Sequence, residues 1–191
     1  MSFNRQLLLV TVGVIVISLL MVSGATYFLY LRGLAEQEDH LTEELDQWGS
    51  MIRAVAEWDY RTLLEMRPEE EDPAVAAWKI TRGQIREADR LFAGSGETAA
   101  YVLASREGEK IIFHLKPVDG KKEPSRAMDA DTPNGEAIRR ALSGESGYMR
   151  GFDFDGVPVF AAYRPLNLNG LQFGVVAQMD VAEVKEAYIH G

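Results

Sequence analysis

The stretch from Leu7 to Leu31 carries no charged residue, and no other feature restricts as strongly what this chain can form. At 1.5 Å of rise per residue, a helix over it exceeds the roughly 30 Å hydrocarbon core of a bilayer and can span it with some tilt. A cleavable signal peptide is the rival reading, because Ser23-Gly24-Ala25 offers the small residues of a cleavage site. The apolar run is longer than a typical signal core and continues through Tyr27, Phe28, Leu29, Tyr30 and Leu31, so residues 7–31 read as an uncleaved transmembrane anchor. Tyr27 and Tyr30 suit an interfacial aromatic belt. Arg5 and the terminal amine precede the stretch, and Arg32 follows it ahead of Glu36, Glu38 and Asp39. Acidic residues count for little in the positive-inside rule, so this small bias places residues 1–6 in the cytoplasm and residues 32–191 in the periplasm.

The 191-residue chain less that anchor leaves about 160 residues, enough for one well-buried domain. With 47% apolar residues the chain is too hydrophobic and too varied for disorder. A formal charge of −9 argues against a nucleic-acid partner, whose phosphates bind clustered Lys and Arg. Cysteine is absent, which excludes disulfides, thiolate metal sites and a cysteine nucleophile. His40, His114 and His190 have no ligand spacing between them, so neither a zinc site nor any cofactor is expected.

From Leu34 to about Met66 there is no proline, and a long helix is expected to follow the anchor. Leu41, Leu45, Trp48, Ile52 and Val55 step by fours and threes along it. That stripe fits either a seam for a homodimer or a face packed on the chain's own domain, and a homodimer through it is the working expectation. Arg67-Pro68 and the acidic run Glu69 to Asp72 form a break, after which Pro73 opens a second helix to about Phe92 with Asp72 as its cap. The acidic run reads as a solvated helix start, since it lacks the alternating ligands of a calcium loop.

Beyond the Ala93-Gly94-Ser95-Gly96 turn the period changes to that of strands. Thr98 to Ser105 and Lys110 to Lys116 read as a hairpin, followed by a polar stretch from Asp119 to Pro133 and a short helix from Asn134 to Leu142. Tyr148 to Phe154, Val157 to Pro165 and Leu171 to Met179 complete five antiparallel strands, with Asp155-Gly156 and Asn169-Gly170 turns between the last three. The fold class is therefore α+β: helices cover one face of a five-stranded antiparallel sheet, and the other face is free to hold a pocket. The last two strands are nearly continuous in apolar residues and are expected to be central.

These segments bring out a family pattern. Phe92-Ala93-Gly94-Ser95-Gly96-Glu97-Thr98 with Tyr101-Val102-Leu103, and later Ala141 to Gly147, Phe152 to Val159, Ala161-Ala162-Tyr163-Arg164-Pro165 and Gly174 to Val184, resemble the Cache superfamily. These are the PAS-like extracytoplasmic sensor domains of bacterial histidine kinases, diguanylate cyclases and chemoreceptors. Ala99 and Ala100 stand where the family pattern has a glycine and a glutamate. The resemblance covers about Leu34 to Tyr188 and is strongest from Ala141 onward. It implies a ligand-sensing input domain for transmembrane signal transduction, of the kind found in two-component systems and chemotaxis, that binds a small molecule such as a carboxylate or amino acid and passes a conformational change across the membrane. Such receptors usually add a second membrane helix and an output domain, and this sequence stops at His190-Gly191.

Candidate ligand-binding residues follow. Tyr163 and Arg164 are adjacent on a strand, so they point to opposite faces. The Arg164 fork suits an anionic ligand, or equally an ion pair with Asp153 or Asp155; the structural role is the first expectation, because the family carries this Tyr-Arg-Pro segment whatever its ligand. Asp180 either accepts a ligand ammonium or, as first expected, caps a helix from Val181 to Tyr188. Tyr101, His114, Lys116 and Tyr148 alternate with apolar positions and either line the pocket or face solvent. An enzyme is not expected: Ser95 lies outside a Gly-x-Ser-x-Gly elbow, and Gly94-Ser95-Gly96-Glu97 lacks a phosphate loop's Gly-Lys-Ser ending. The remaining alternative is a membrane-anchored, pilin-like structural protein without a small-molecule ligand. Arg5 and the break at Pro68 stand against it.

Overall fold

A computed structural model describes the backbone of residues 2–92, 100–115 and 127–183, and the side chains of 18–25, 27, 28, 32, 38–88, 100–115 and 127–183. The chain divides into two compact units, Met1–Asp39 and His40–Gly191, and helix α1 (Ser2–Met66) contributes to both. In the first unit Leu19, Leu20, Met21, Val22, Tyr27 and Phe28 are all exposed along the helix. Among the described residues no helix is long and apolar enough to cross a membrane. Side chains 7–17, 26 and 29–31 of the expected anchor lie outside them.

In the second unit α1 ends at Met66, ahead of Pro68, whose ring disfavours helical backbone at the residue before it. Helix α2 (Pro73–Phe92) opens as expected: the Val75 N–H donates to Asp72 Oδ1 at 3.1 Å, so Asp72 caps it. Then come strands β1 (Ala100–Glu107), β2 (Lys110–Leu115) and β3 (Ala127–Asp129), helix α3 (Glu136–Leu142), and strands β4 (Gly147–Phe152), β5 (Pro158–Leu168) and β6 (Leu171–Asp180). The sheet thus has six strands, not five. The extra one, β3, lies within the polar stretch read as a loop; three residues, paired to β2 through Met128 opposite Ile111, are too short for an alternating pattern to show. Asn169 and Gly170 turn β5 into β6 with φ of 53° and 92°, the paired left-handed residues for which an Asn-Gly hairpin is suited.

The strand order is β3-β2-β1-β6-β5-β4, antiparallel throughout. The two strands expected to be central, β5 and β6, are both interior, and β6 shares the middle with β1. Alternation sends Val102, Ala104, Val159, Ala161, Tyr163 and Val176 to one face, where they pack with Ala137, Ile138 and Ala141 of α3. α3 comes this close because Gly174 has no side chain: a Cβ there would lie 3.0 Å from both Ala141 and Ile138.

The other face meets α1 and α2. Trp48 stacks on Tyr101 with centroids 4.9 Å apart, and Trp78 packs on Phe173 at 4.4 Å. Leu41, Leu45 and Ile52 of the α1 stripe are fully buried within this single unit. The expected homodimer seam is thus corrected at these three positions: they serve intrachain packing, because the sheet already covers them, and are not available to a second copy. The two helices are joined by a buried polar contact, in which Thr81 Oγ1 donates to Asp59 Oδ2 at 2.6 Å and Gln84 Nε2 to Asp59 Oδ1 at 3.2 Å.

Candidate functional site

The sheet sorts the six candidate residues onto its two sides. Tyr101, His114 and Arg164 belong to the helix-facing side. Tyr101 stacks on Trp48, and its hydroxyl donates to Glu44 Oε2 at 3.4 Å. Arg164 pairs with Asp46 of α1, not with Asp153 or Asp155. The reason is the register: Arg164 sits opposite Val175 on the face away from the Asp153 turn. His114 lies between Trp78, at 5.1 Å, and Phe173, at 5.6 Å, and shares a 2.8 Å hydrogen bond with Ser105. Burial, aided by the Arg82 charge, lowers its pKa to about 4, so the ring is neutral at pH 7. Tyr148, on the edge strand β4, lies parallel to Phe160 with centroids 6.0 Å apart.

Tyr163 and Asp180 lie on the α3 side. The Tyr163 hydroxyl accepts a 3.4 Å hydrogen bond from Arg140 Nη1 and reaches over Gly147, where a Cβ would lie 3.0 Å away. Asp180 closes β6 opposite Val159. The helix expected after it is described only to Glu183, and Lys116 lies outside the described residues, as does most of the polar stretch before β3.

None of the six lines the cavity on the α3 side. That cavity lies between β1, β6, β5 and the start of α3, with Val102, Ile138 and Val176 as apolar walls and Asp153 and Gln178 as polar ones. It leaves about 10 Å³ for the centre of a water-sized group and about 250 Å³ of empty space once its open mouth is counted. Asp153 is held by its own turn: Oδ1 accepts the N–H groups of Asp155 and Val157, both at 2.8 Å. Burial raises its pKa, against the lowering effect of those N–H groups. Gly135, with φ of 71°, starts α3 and donates its N–H to the carbonyls of Phe152 and Asp153, which ties the helix to the same turn. Arg139 binds the carbonyls of Thr132, Pro133 and Asn134 and so fixes the approach to α3.

Sequence reasoning met Asp153 only as a partner for Arg164 and did not single out Gln178. Gln178 directly follows the apolar run Val175-Val176-Ala177 on β6, and a polar residue in step with the inward-facing Gly174 and Val176 was the available signal.

A scan against protein-family models and a search of curated proteins both return no match. Among solved structures the chain is similar to the periplasmic sensory domain of the Campylobacter jejuni chemoreceptor Tlp1, with 14% identity, 53% of this chain and 36% of that chain covered, and a TM-score of 0.41. It is similar to the sensory domain of the C. jejuni chemoreceptor Tlp3 (CcmL), with 10% identity, 81% and 64% coverage and a TM-score of 0.34. The ligand-binding domain of Tlp3 in complex with L-valine gives 10% identity, 81% and 64% coverage and a TM-score of 0.35. The chain spans between 36% and 64% of the length of these structures. All three are chemoreceptor sensory or ligand-binding domains.

Proposed function

We propose that this chain is the extracytoplasmic input domain of a transmembrane signalling protein, anchored by residues 7–31, which binds a small molecule and relays a conformational change along α1. The observation that carries this reading is the division of labour across one sheet. A cavity with two polar walls opens on the α3 face, and α1 is fastened to the opposite face by the Asp46–Arg164 pair and the Trp48–Tyr101 stack. A ligand that draws β1 or β6 toward α3 changes, one sheet thickness away, the surface on which α1 lies. It shifts the domain between two states only by binding one of them more tightly. In this reading Arg164, Tyr101 and His114 belong to the relay layer and not to the ligand contact, and the protein is not an enzyme.

The homodimer of this reading uses the outward side of α1, where Met51 and Trp58 are 54% and 69% exposed one heptad apart. Sedimentation of the detergent-solubilised chain, with and without Trp58→Glu, checks it: a monomer at every concentration removes the dimer.

The test of the sensor itself is a thermal-shift screen of the full chain in detergent against carboxylic acids, amino acids, amines and purines. A ligand that binds only the folded state raises the melting temperature. A concentration-dependent rise with one chemical class supports the reading, and no rise across all classes removes it.

A further inference from the structure

We infer that a second ligand site lies on the flank of α1, where a groove between the helix and the β5–β6 turn takes a small organic oxyanion, a carboxylate or a phosphate monoester, on the guanidinium groups of Arg53 and Arg61. This goes beyond the sensor reading, whose cavity lies on the other face of the sheet, and does not depend on it.

Size is the first observation. The groove leaves about 340 Å³ for the centres of water-sized groups, where the α3-side cavity leaves about 10 Å³. Small-molecule sites occupy roughly 300–1,000 Å³, so the groove has room for an organic ligand of one ring or a short chain. Part of its lining is apolar: Ala56 and Leu168 are buried, and Tyr60 is half-buried. Such a wall suits a hydrocarbon body better than a fully hydrated inorganic ion.

Charge is the second. Two arginines and one glutamate line the groove, a net positive wall on a chain whose formal charge is −9. Arg53, Glu57 and Arg61 follow one another at steps of four, so successive turns of α1 set them along one side. Glu57 pairs with Arg61, which offsets its carboxylate and occupies part of the Arg61 fork. A guanidinium carries five N–H donors, so Arg61 keeps others for a ligand. Arg53 takes part in none of the ion pairs among the described residues. Its planar fork can bind a carboxylate or a phosphate through two parallel hydrogen bonds, and it repels a cationic head group.

Position is the third. The turn after β5 is fastened to α1 at this groove by Asn169, whose Nδ2 donates to the Ala56 carbonyl at 3.1 Å. Asn167 also lines the groove; its Oδ1 accepts the Gly170 N–H at 3.0 Å, which leaves the amide N–H groups as donors. An oxyanion on Arg53 and Arg61 with its body against Leu168 touches helix and sheet together, and so adds a second tie to the Asn169–Ala56 bond.

The experiment is isothermal titration of the whole chain at pH 7, in non-ionic detergent and a buffer free of phosphate and carboxylate. Benzoate, phenyl phosphate, benzamide and benzylamine serve as probes that share one ring and differ in the head group. At least one of the two anions is expected to bind, the tighter of them telling carboxylate from phosphate, and benzamide and benzylamine to bind at least tenfold more weakly or not at all. Arg53→Gln is expected to weaken the bound anion about tenfold, the loss of one charge-assisted pair in a half-open groove. Glu57→Gln, which removes the competing carboxylate, is expected to tighten it about threefold. Both side chains are exposed, so neither variant threatens the fold. The bound anion is also expected to slow amide exchange in residues 53–61 and 167–170. Equal or tighter binding of benzamide or benzylamine, anion binding unchanged in Arg53→Gln or loosened in Glu57→Gln, or protection absent from both segments overturns the inference. So does a failure of all four probes to bind, while the sensor reading stands or falls by its own screen. A carboxylate from that screen belongs to the groove if Arg53→Gln abolishes its effect; one that survives Arg53→Gln counts against the groove as the carboxylate site.

Discussion

A histidine ring set between Trp78 and Phe173 has little water to stabilise its charged form, and the sequence marks it only as one polar residue on a strand. Its pKa in the fold is about 4, against 6.5 for the unperturbed group, so between those values the unfolded chain binds more protons than the folded one. The stability held in neutral His114 is therefore complete above about pH 6.5 and is lost as the pH falls toward 4. Melting temperatures measured from pH 8 to 4 should fall through this window, and His114→Phe, which keeps an aromatic ring against Trp78, should flatten that part of the profile. Arg164 gives the opposite lesson. Its pair with Asp46 is partly solvated, so Arg164→Ala should cost less than about 1 kcal/mol in urea denaturation and leave affinity for any cavity ligand unchanged. The alternation of Tyr163 and Arg164 was legible in the sequence, but which face each took was not. That depends on which side the helices cover, a tertiary choice that no local pattern encodes.

Among the elements, the helices and the last three strands were legible because each carries a long periodic or near-continuous apolar run with an explicit stop: Pro68 after α1, Asp72-Pro73 before α2, Asn169-Gly170 between β5 and β6. β3 was not, because it has three residues and a single partner strand. The seating of α3 was not legible either, since Gly174 reads in sequence as a weak spot in a strand and acts in the fold as the clearance that lets a helix approach. Gly174→Val should cost about 1–3 kcal/mol by overpacking against Ala141 and Ile138, measured by chemical denaturation, and should also open the cavity that α3 helps to wall. Between α1 and α2 the deciding contact is Asp59 with Thr81 and Gln84. Thr81→Val removes the 2.6 Å donor and leaves the buried carboxylate with Gln84 alone among these partners, so it should destabilise by about 1–3 kcal/mol in the same assay.

At the scale of the whole molecule, the α+β plan was expected from the order of elements, and the structure has it, with α1 and α2 on one sheet face and the short helix α3 beside a cavity on the other. The site was less legible than the plan. Asp153 and Gln178 lie 25 positions apart and line one cavity only because β6 runs beside β5, with the Asp153 turn leading into β5. If the relay works through the sheet, a cavity ligand should slow amide exchange in residues 41–56 of α1 as well as in β1 and β6. Protection confined to the cavity strands would separate binding from signalling. The strand order also has a consequence for how this protein is made. β1 and β6 are paired at the centre, yet 63 residues separate the end of one from the start of the other. On the ribosome, at about 5–20 residues per second, β1 emerges several seconds before the strand that will become its neighbour. During that interval the β1–β2 hairpin carries an open edge that presents Tyr101, Val102 and Leu103, which makes it the segment most in need of a chaperone. A nascent chain arrested before Leu171 should bind such a holdase, and one arrested well past Asp180 should let it go.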